Sequence, residues 1–192
     1  MLDGEHYTQI SSDGKRLVKY SFKTGKEVAT IFDVETARDC TIKHFDDYIM
    51  SPNESLILIQ TDTKPIYRHS FTANYYIFNV KNNKMEPLST GGPQQVPLFS
   101  PDGNQIAFVR NNNIYLVKLL FNNSESQITT DGKYNEVLNG IPDWVYEEEF
   151  GFNRAFDFSA DSKMIAYIRF DESKVPMYSF PPVSYTHLTL PT

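Results

Sequence analysis

One short pattern occurs four times in this chain, and it leaves few architectures open. Ser11-Ser12-Asp13-Gly14-Lys15-Arg16-Leu17-Val18 is echoed by Ser51-Pro52-Asn53-Glu54-Ser55-Leu56-Ile57-Leu58. It returns as Ser100-Pro101-Asp102-Gly103-Asn104-Gln105-Ile106-Ala107-Phe108, and as Ser159-Ala160-Asp161-Ser162-Lys163-Met164-Ile165-Ala166-Tyr167. The copies start at residues 11, 51, 100 and 159, so the spacing grows from 40 to 49 to 59 residues. Strand-based repeats of ~40 to 50 residues are the sequence sign of propeller blades. The local chemistry agrees. Pro presets φ, Asp bonds its own backbone and Gly accepts positive φ, which together specify a turn. Each turn leads into a short apolar run such as Ile106-Ala107-Phe108-Val109, suited to a strand covered on both faces. Asn111-Asn112-Asn113 then reads as a second turn before the strand Ile114-Tyr115-Leu116-Val117. Tyr75-Tyr76-Ile77-Phe78-Asn79-Val80 is the equivalent strand one blade earlier. Helical periodicity is nearly absent. The fold class is all-β, a partial β-propeller of three to four blades. Because terminal blades would expose apolar faces, the chain is expected to be part of a longer protein.

Composition narrows the function. A net charge of −6 argues against nucleic acid or an anionic membrane as partner. Cys40 is the only cysteine, so an internal disulfide or a thiolate cluster is excluded. His6, His44, His69 and His187 show no metal-ligand spacing. No metal or cofactor is expected. No stretch reaches the ~18 to 20 apolar residues of a membrane-spanning helix, and residues 1–6 carry no signal-peptide pattern.

The longest interval holds extra sequence, Tyr134 to Phe152, and within it Asp143-Trp144-Val145-Tyr146-Glu147-Glu148-Glu149-Phe150. Pro142 is expected in the first turn of a short helix there, and Gly151 at its end. Three adjacent carboxylates repel one another, and burying one without a partner is costly. Glu-Glu-Glu alone reads as a solvated acidic turn. Set beside Trp144 and Tyr146, it reads instead as a grip for a positive charge. Two carboxylates suit a primary ammonium, whose three donors they can largely satisfy. On a peptide such a pair would select a free N-terminus and act as a ruler for what is cut off. A second motif, Tyr67-Arg68-His69-Ser70-Phe71-Thr72-Ala73, places Arg68 beside an aromatic strand. Arg68 either pairs with a neighbouring acid for structure alone or donates to a peptide carbonyl. His69 and Ser70, read as strand neighbours, would point to opposite faces and form no dyad.

Asn139 to Glu149, its continuation from Phe158 to Tyr167 with Val175-Pro176, and Tyr67 to Tyr75 resemble the glutamate and arginine motifs of the dipeptidyl peptidase IV family of serine peptidases. The resemblance spans roughly Ser11 to Phe180. It implies that Glu148 and Glu149 bind the substrate amine and that Arg68 contacts a substrate backbone carbonyl. Glu147 is left to support the short helix or its partner contacts. It further implies an eight-bladed propeller joined to a C-terminal α/β-hydrolase domain, often dimeric and exported to a periplasm, cell surface or extracellular space. Its substrates would be peptides with a free N-terminus, cut after a penultimate proline or alanine. The chain departs from that pattern in having no Gly-x-Ser-x-Gly elbow, so by itself it is expected to be inactive. A non-catalytic propeller that binds peptides or partner proteins is the alternative. Residues 1–181 are assigned to the propeller domain. Residues 182–192 do not continue the family sequence and are expected to be a non-native tail, translated adapter read-through.

Overall fold

The computed structural model describes residues 1–177; the expected tail, 182–192, lies outside the described residues. The first unit is a three-stranded antiparallel sheet of β1 (His6–Ile10), β2 (Arg16–Ser21) and β3 (Glu27–Asp33). The second is a four-stranded meander of β4 (Asp47–Met50), β5 (Leu56–Pro65), β6 (Phe71–Asn79) and β7 (Lys84–Pro87). The third repeats it with β8 (Gln95–Phe99), β9 (Gln105–Arg110), β10 (Asn113–Lys118) and β11 (Ser124–Gln127). After β12 (Val137–Asn139) and α1 (Trp144–Phe150), a fourth unit begins with β13 (Phe156–Phe158) and β14 (Ile165–Tyr167). The chain then continues into β15 (Arg169–Asp171), which pairs with β12. The expected all-β, blade-like architecture is the one observed.

Alternation along the inner strands explains how the units stack. In β5, Ile57 and Ile59 join Leu17, Phe32, Phe45, Phe78 and Met85 in the core shared with the first unit. Leu58, between them, points the other way, to a core with Ile106, Phe108 and Val117 of the third unit. The pattern repeats in β9: Ile106 and Phe108 face back, while Ala107 and Val109 face forward onto Ile114, Ile141 and Phe156. With a side-chain period of two, a strand that is apolar at every position must be covered on both faces.

The repeated serine turns link the first two strands of each unit. Ser100 is fully buried, its hydroxyl donates to Asp102 Oδ1 at 2.6 Å, and it accepts from the Gln105 N–H at 2.9 Å. Ser11, Ser51 and Ser159 build the same loop with Asp13, Asn53 and Asp161. The fourth position has positive φ in every copy: Gly14, Glu54, Gly103 and Ser162. Glycine is therefore preferred there but not obligatory. Ser162 compensates by accepting the Asp102 N–H at 3.0 Å and so ties the third and fourth units together. The Asn111-Asn112 turn also takes positive φ at both residues, the two-residue geometry that suits a hairpin.

The serine hydroxyls, and next the backbone N–H groups, hold Asp13, Asp102 and Asp161 below their ordinary value of 3.8. A carboxyl group whose pKa falls on folding stabilises the fold above its unfolded value, and that contribution disappears as pH drops through the folded value. Stability is therefore expected to fall as pH drops below about 4. Ser100→Ala should cost about 1–3 kcal/mol at neutral pH and flatten part of that acid dependence. Urea titrations at neutral and acid pH check both.

Candidate functional site

Two extensions beyond the blade framework meet at one place. The first is the β5–β6 hairpin, whose strands outrun their neighbours β4 and β7. Its ladder shifts register between Thr61 and Lys64, resumes at Lys64 opposite Thr72, and ends with Pro65 opposite Phe71. Beyond that, residues 66–70 form the tip, closed by the Ile66 N–H donating to the Ser70 carbonyl at 2.8 Å. Arg68, His69 and Ser70 thus lie at a hairpin tip and not in a strand, which corrects the strand-neighbour reading of His69 and Ser70. The absence of a dyad rests instead on Ser70, whose buried hydroxyl has no hydrogen-bond partner among the described residues.

The second extension carries α1. Gly140 lets it leave the blade: φ is +76°, and a Cβ there would lie 3.0 Å from the Ile114 side chain and 3.1 Å from Phe156. The helix starts two residues later than Pro142 would suggest, because Asp143 caps it. The Asp143 carboxylate accepts the Tyr146 N–H at 2.8 Å, which satisfies one of the free donors of the first turn. Gly151, at φ +69°, ends it as expected and donates to the Glu147 carbonyl at 2.9 Å. Tyr146 packs edge-on against Phe170 of β15, with ring centroids 5.0 Å apart.

Successive residues on a helix point about 100° apart, so the three glutamates cannot share one direction. Glu147 turns inward and is 1% exposed. Its Oε1 accepts two consecutive backbone N–H groups of the hairpin tip, His69 at 2.7 Å and Ser70 at 2.8 Å. Asn153 Nδ2 donates to the His69 carbonyl at 2.9 Å. Glu148 is half-buried, and its Oε2 lies 3.0 Å from Arg68 Nε. The Arg68 side chain is 72% exposed, so most of its guanidinium faces solvent. Glu149 is exposed and makes no hydrogen bond or ion pair among the described residues. The structure thus brings Arg68 and Glu148 together at the outer edge of the hairpin–helix junction, while Glu149, the next residue on the helix, touches neither through a hydrogen bond or ion pair among the described residues. The contacts of Glu147 with the hairpin agree with the supporting part assigned to it. Asn153 escaped sequence reading, since an asparagine just past a helix cap carries no pattern of its own.

A cleft of about 850 Å³ runs along the inner side of the junction, lined among others by Tyr67, Tyr134, Trp144, Glu147 and Glu172. Arg68, Glu148 and Glu149 stand outside it. Burial pushes the Tyr67 hydroxyl and the Glu172 carboxyl up from their ordinary pKa values. Among the described residues, no group of three or more His, Cys, Asp or Glu side chains could hold a metal ion. Chemically, the junction presents the Glu148 carboxylate, already oriented by an arginine, with the exposed Glu149 carboxylate next to it in sequence. It also offers the exposed remainder of that guanidinium to a carbonyl or carboxylate.

These features define a propeller whose insertion presents an anionic helix against an arginine-tipped hairpin. The family described as the dipeptidyl peptidase IV N-terminal region matches residues 51–188, and the chain belongs to it. Dipeptidyl peptidase 4 of Trichophyton equinum is 36% identical over 182 residues, covering 93% of this chain and 22% of that protein. A probable dipeptidyl-aminopeptidase B of Talaromyces stipitatus is 41% identical over 139 residues, covering 70% of this chain and 15% of its own length. The crystal structure of Porphyromonas gingivalis dipeptidyl peptidase 4 superposes with a TM-score of 0.88 at 47% identity, over 93% of this chain and 25% of that one. The chain therefore spans about a quarter or less of the peptidases it matches.

Removing the cap should loosen the helix selectively. Asp143→Ala is expected to cost about 1 kcal/mol and to speed hydrogen exchange at the Tyr146 and Glu147 amides, while the β9 and β10 amides stay protected.

Proposed function

We propose that this segment is the substrate-binding part of a serine-type dipeptidyl peptidase, completed by an α/β-hydrolase domain elsewhere in the parent polypeptide. Glu148 and Glu149 accept the substrate α-ammonium, and Arg68 orients a backbone carbonyl near it. The observation that carries this reading is the Arg68–Glu148 pair at 3.0 Å with Glu149, which has no hydrogen-bond or ion-pair partner among the described residues, as the next residue. Arg68 occupies one oxygen of Glu148 and leaves the other for an incoming donor. An ammonium bridging that oxygen and Glu149 would gain charge-assisted hydrogen bonds that an internal amide cannot make. Peptides with a blocked or distant N-terminus would be rejected because the two carboxylates would then face no cation.

Holding the ammonium at a set distance from the nucleophile of the hydrolase domain turns binding into registration. Only the bond two residues from the N-terminus is then presented, with a penultimate proline or alanine as the favoured residue. Binding energy at the amine is spent on the geometry of the reacting carbonyl. We place the parent protein in a periplasm, at a cell surface or outside the cell, where peptides with free N-termini are its substrates. A homodimer is its proposed assembly. Names of the matched relatives as peptidases support this over a purely scaffolding propeller.

In the full-length parent enzyme, Glu149→Ala should lower kcat/KM for a free dipeptidyl substrate by about 100-fold. Unchanged kcat/KM would remove Glu149 from the site. The pH profile gives an independent check. A peptide α-amino group loses its proton near pH 7.7–8.0, about the usual range, and the neutral amine forfeits the ion pair. KM is expected to rise as pH climbs through that range, and a KM that stays flat to pH 9 would contradict anchoring by charge.

A further inference from the structure

The tip of the arginine hairpin has no ladder of its own. Strand pairing ends at Pro65 and Phe71, and Arg68 sits at the middle of the five residues beyond. Two bonds within the tip, from the Ile66 and Tyr67 N–H groups to the Ser70 carbonyl, close the loop but do not aim it. What fixes its direction comes from 77 to 84 residues downstream. Glu147 Oε1 accepts the N–H groups of His69 and Ser70, and Asn153 Nδ2 donates to the His69 carbonyl. The residue directly after Arg68 is thus held through both its N–H and its carbonyl, by the helix that carries Glu148 and by Asn153 two residues past its Gly151 cap.

Glu147 is also a buried acid without a cation: among the described residues, no Lys, Arg or His pairs with it. A buried carboxylate in that position depends on the N–H dipoles it faces. The tip and the helix therefore need each other, the tip to satisfy its N–H groups and Glu147 to satisfy its buried carboxyl oxygen. Since Glu147 and Glu148 are adjacent on the helix, the bond that seats the tip also sets the approach of Arg68 to Glu148.

We infer that Glu147 is a positioning residue that locks the arginine hairpin to the glutamate helix, so that Arg68 and Glu148 present one preformed receptor for a peptide amino end. The inference rests on the anchoring role of Arg68, Glu148 and Glu149 proposed above. Glu147 touches no substrate; it acts through Arg68. Asn153 assists from the opposite side of His69.

A double-mutant cycle in the full-length parent enzyme tests this, read as kcat/KM on a dipeptidyl substrate with a free N-terminus. Glu147→Ala should lower kcat/KM about tenfold or more, and Glu147→Gln about threefold, because the amide oxygen still accepts both N–H groups without the charge. Asn153→Ala, at a half-buried position, should show a smaller loss in the same direction. In an Arg68→Ala background all three losses should vanish, since the tip no longer carries the group being aimed. Should Glu147→Ala fail to fold, Glu147→Gln and Asn153→Ala carry the cycle. If the Glu147→Gln loss persists undiminished without Arg68, Glu147 supports the helix generally and the inference is overturned. If Arg68→Ala alone leaves kcat/KM unchanged, the anchoring reading itself fails, a result distinct from additivity in the cycle.

Discussion

Strands with apolar residues on both faces are the constraint from which the rest of this structure follows. In β5 and β9, successive residues belong to different cores, Ile57 and Ile59 to one side and Leu58 to the other, then Ile106 and Phe108 against Ala107 and Val109. Such strands cannot sit on a sheet with one wet face. They oblige the units to stack face to face, and each added sheet supplies cover for the previous one. Polar residues then concentrate in outer strands such as β11 (Ser124–Gln127), in the turns and in whatever projects beyond the stack. The site lies in such a projection, where the β5–β6 hairpin and the α1 insertion extend past the blades that anchor them.

A rigid stack gives projecting elements a fixed base but no fixed tips. Here that problem is met with polar groups. The hairpin tip and the insertion are joined through a buried carboxylate, two backbone N–H groups and one asparagine amide. The Arg68–Glu148 pair is formed at their outer edge. An exposed ion pair contributes little to stability because water screens it. On the proposed reading its value is functional: a guanidinium already aligned with a carboxylate spares an incoming substrate the cost of ordering either side chain.

Much of this was legible in the residues. The four serine turns announced the units, because Ser, Asp and a positive-φ position at fixed offsets encode one loop whatever surrounds it. Arg68, Glu148 and Glu149 stood out through motifs that resemble those of a family, and the structure pairs Arg68 with Glu148 although 80 residues separate them. Less was legible where a side chain competes with a local rule. Pro142 pointed to an earlier helix start, but the Asp143 carboxylate capped the helix one residue on. His69 and Ser70 looked like strand residues because aromatic and β-branched neighbours follow them, yet the ladder stops at Phe71. The exact partners of Glu147 could not be read at all. They are backbone N–H groups 77 and 78 positions away, and a backbone donor leaves no mark in a sequence.

The most direct measurement is a crystal structure of the full-length parent enzyme with a bound Xaa-Pro dipeptide. The account predicts the dipeptide amine within hydrogen-bonding distance of both Glu148 and Glu149, its carbonyl facing the Arg68 guanidinium, and Glu147 still bonded to His69 and Ser70. A dipeptide whose amine lies away from both glutamates, or that binds with Arg68 turned into solvent, would contradict it.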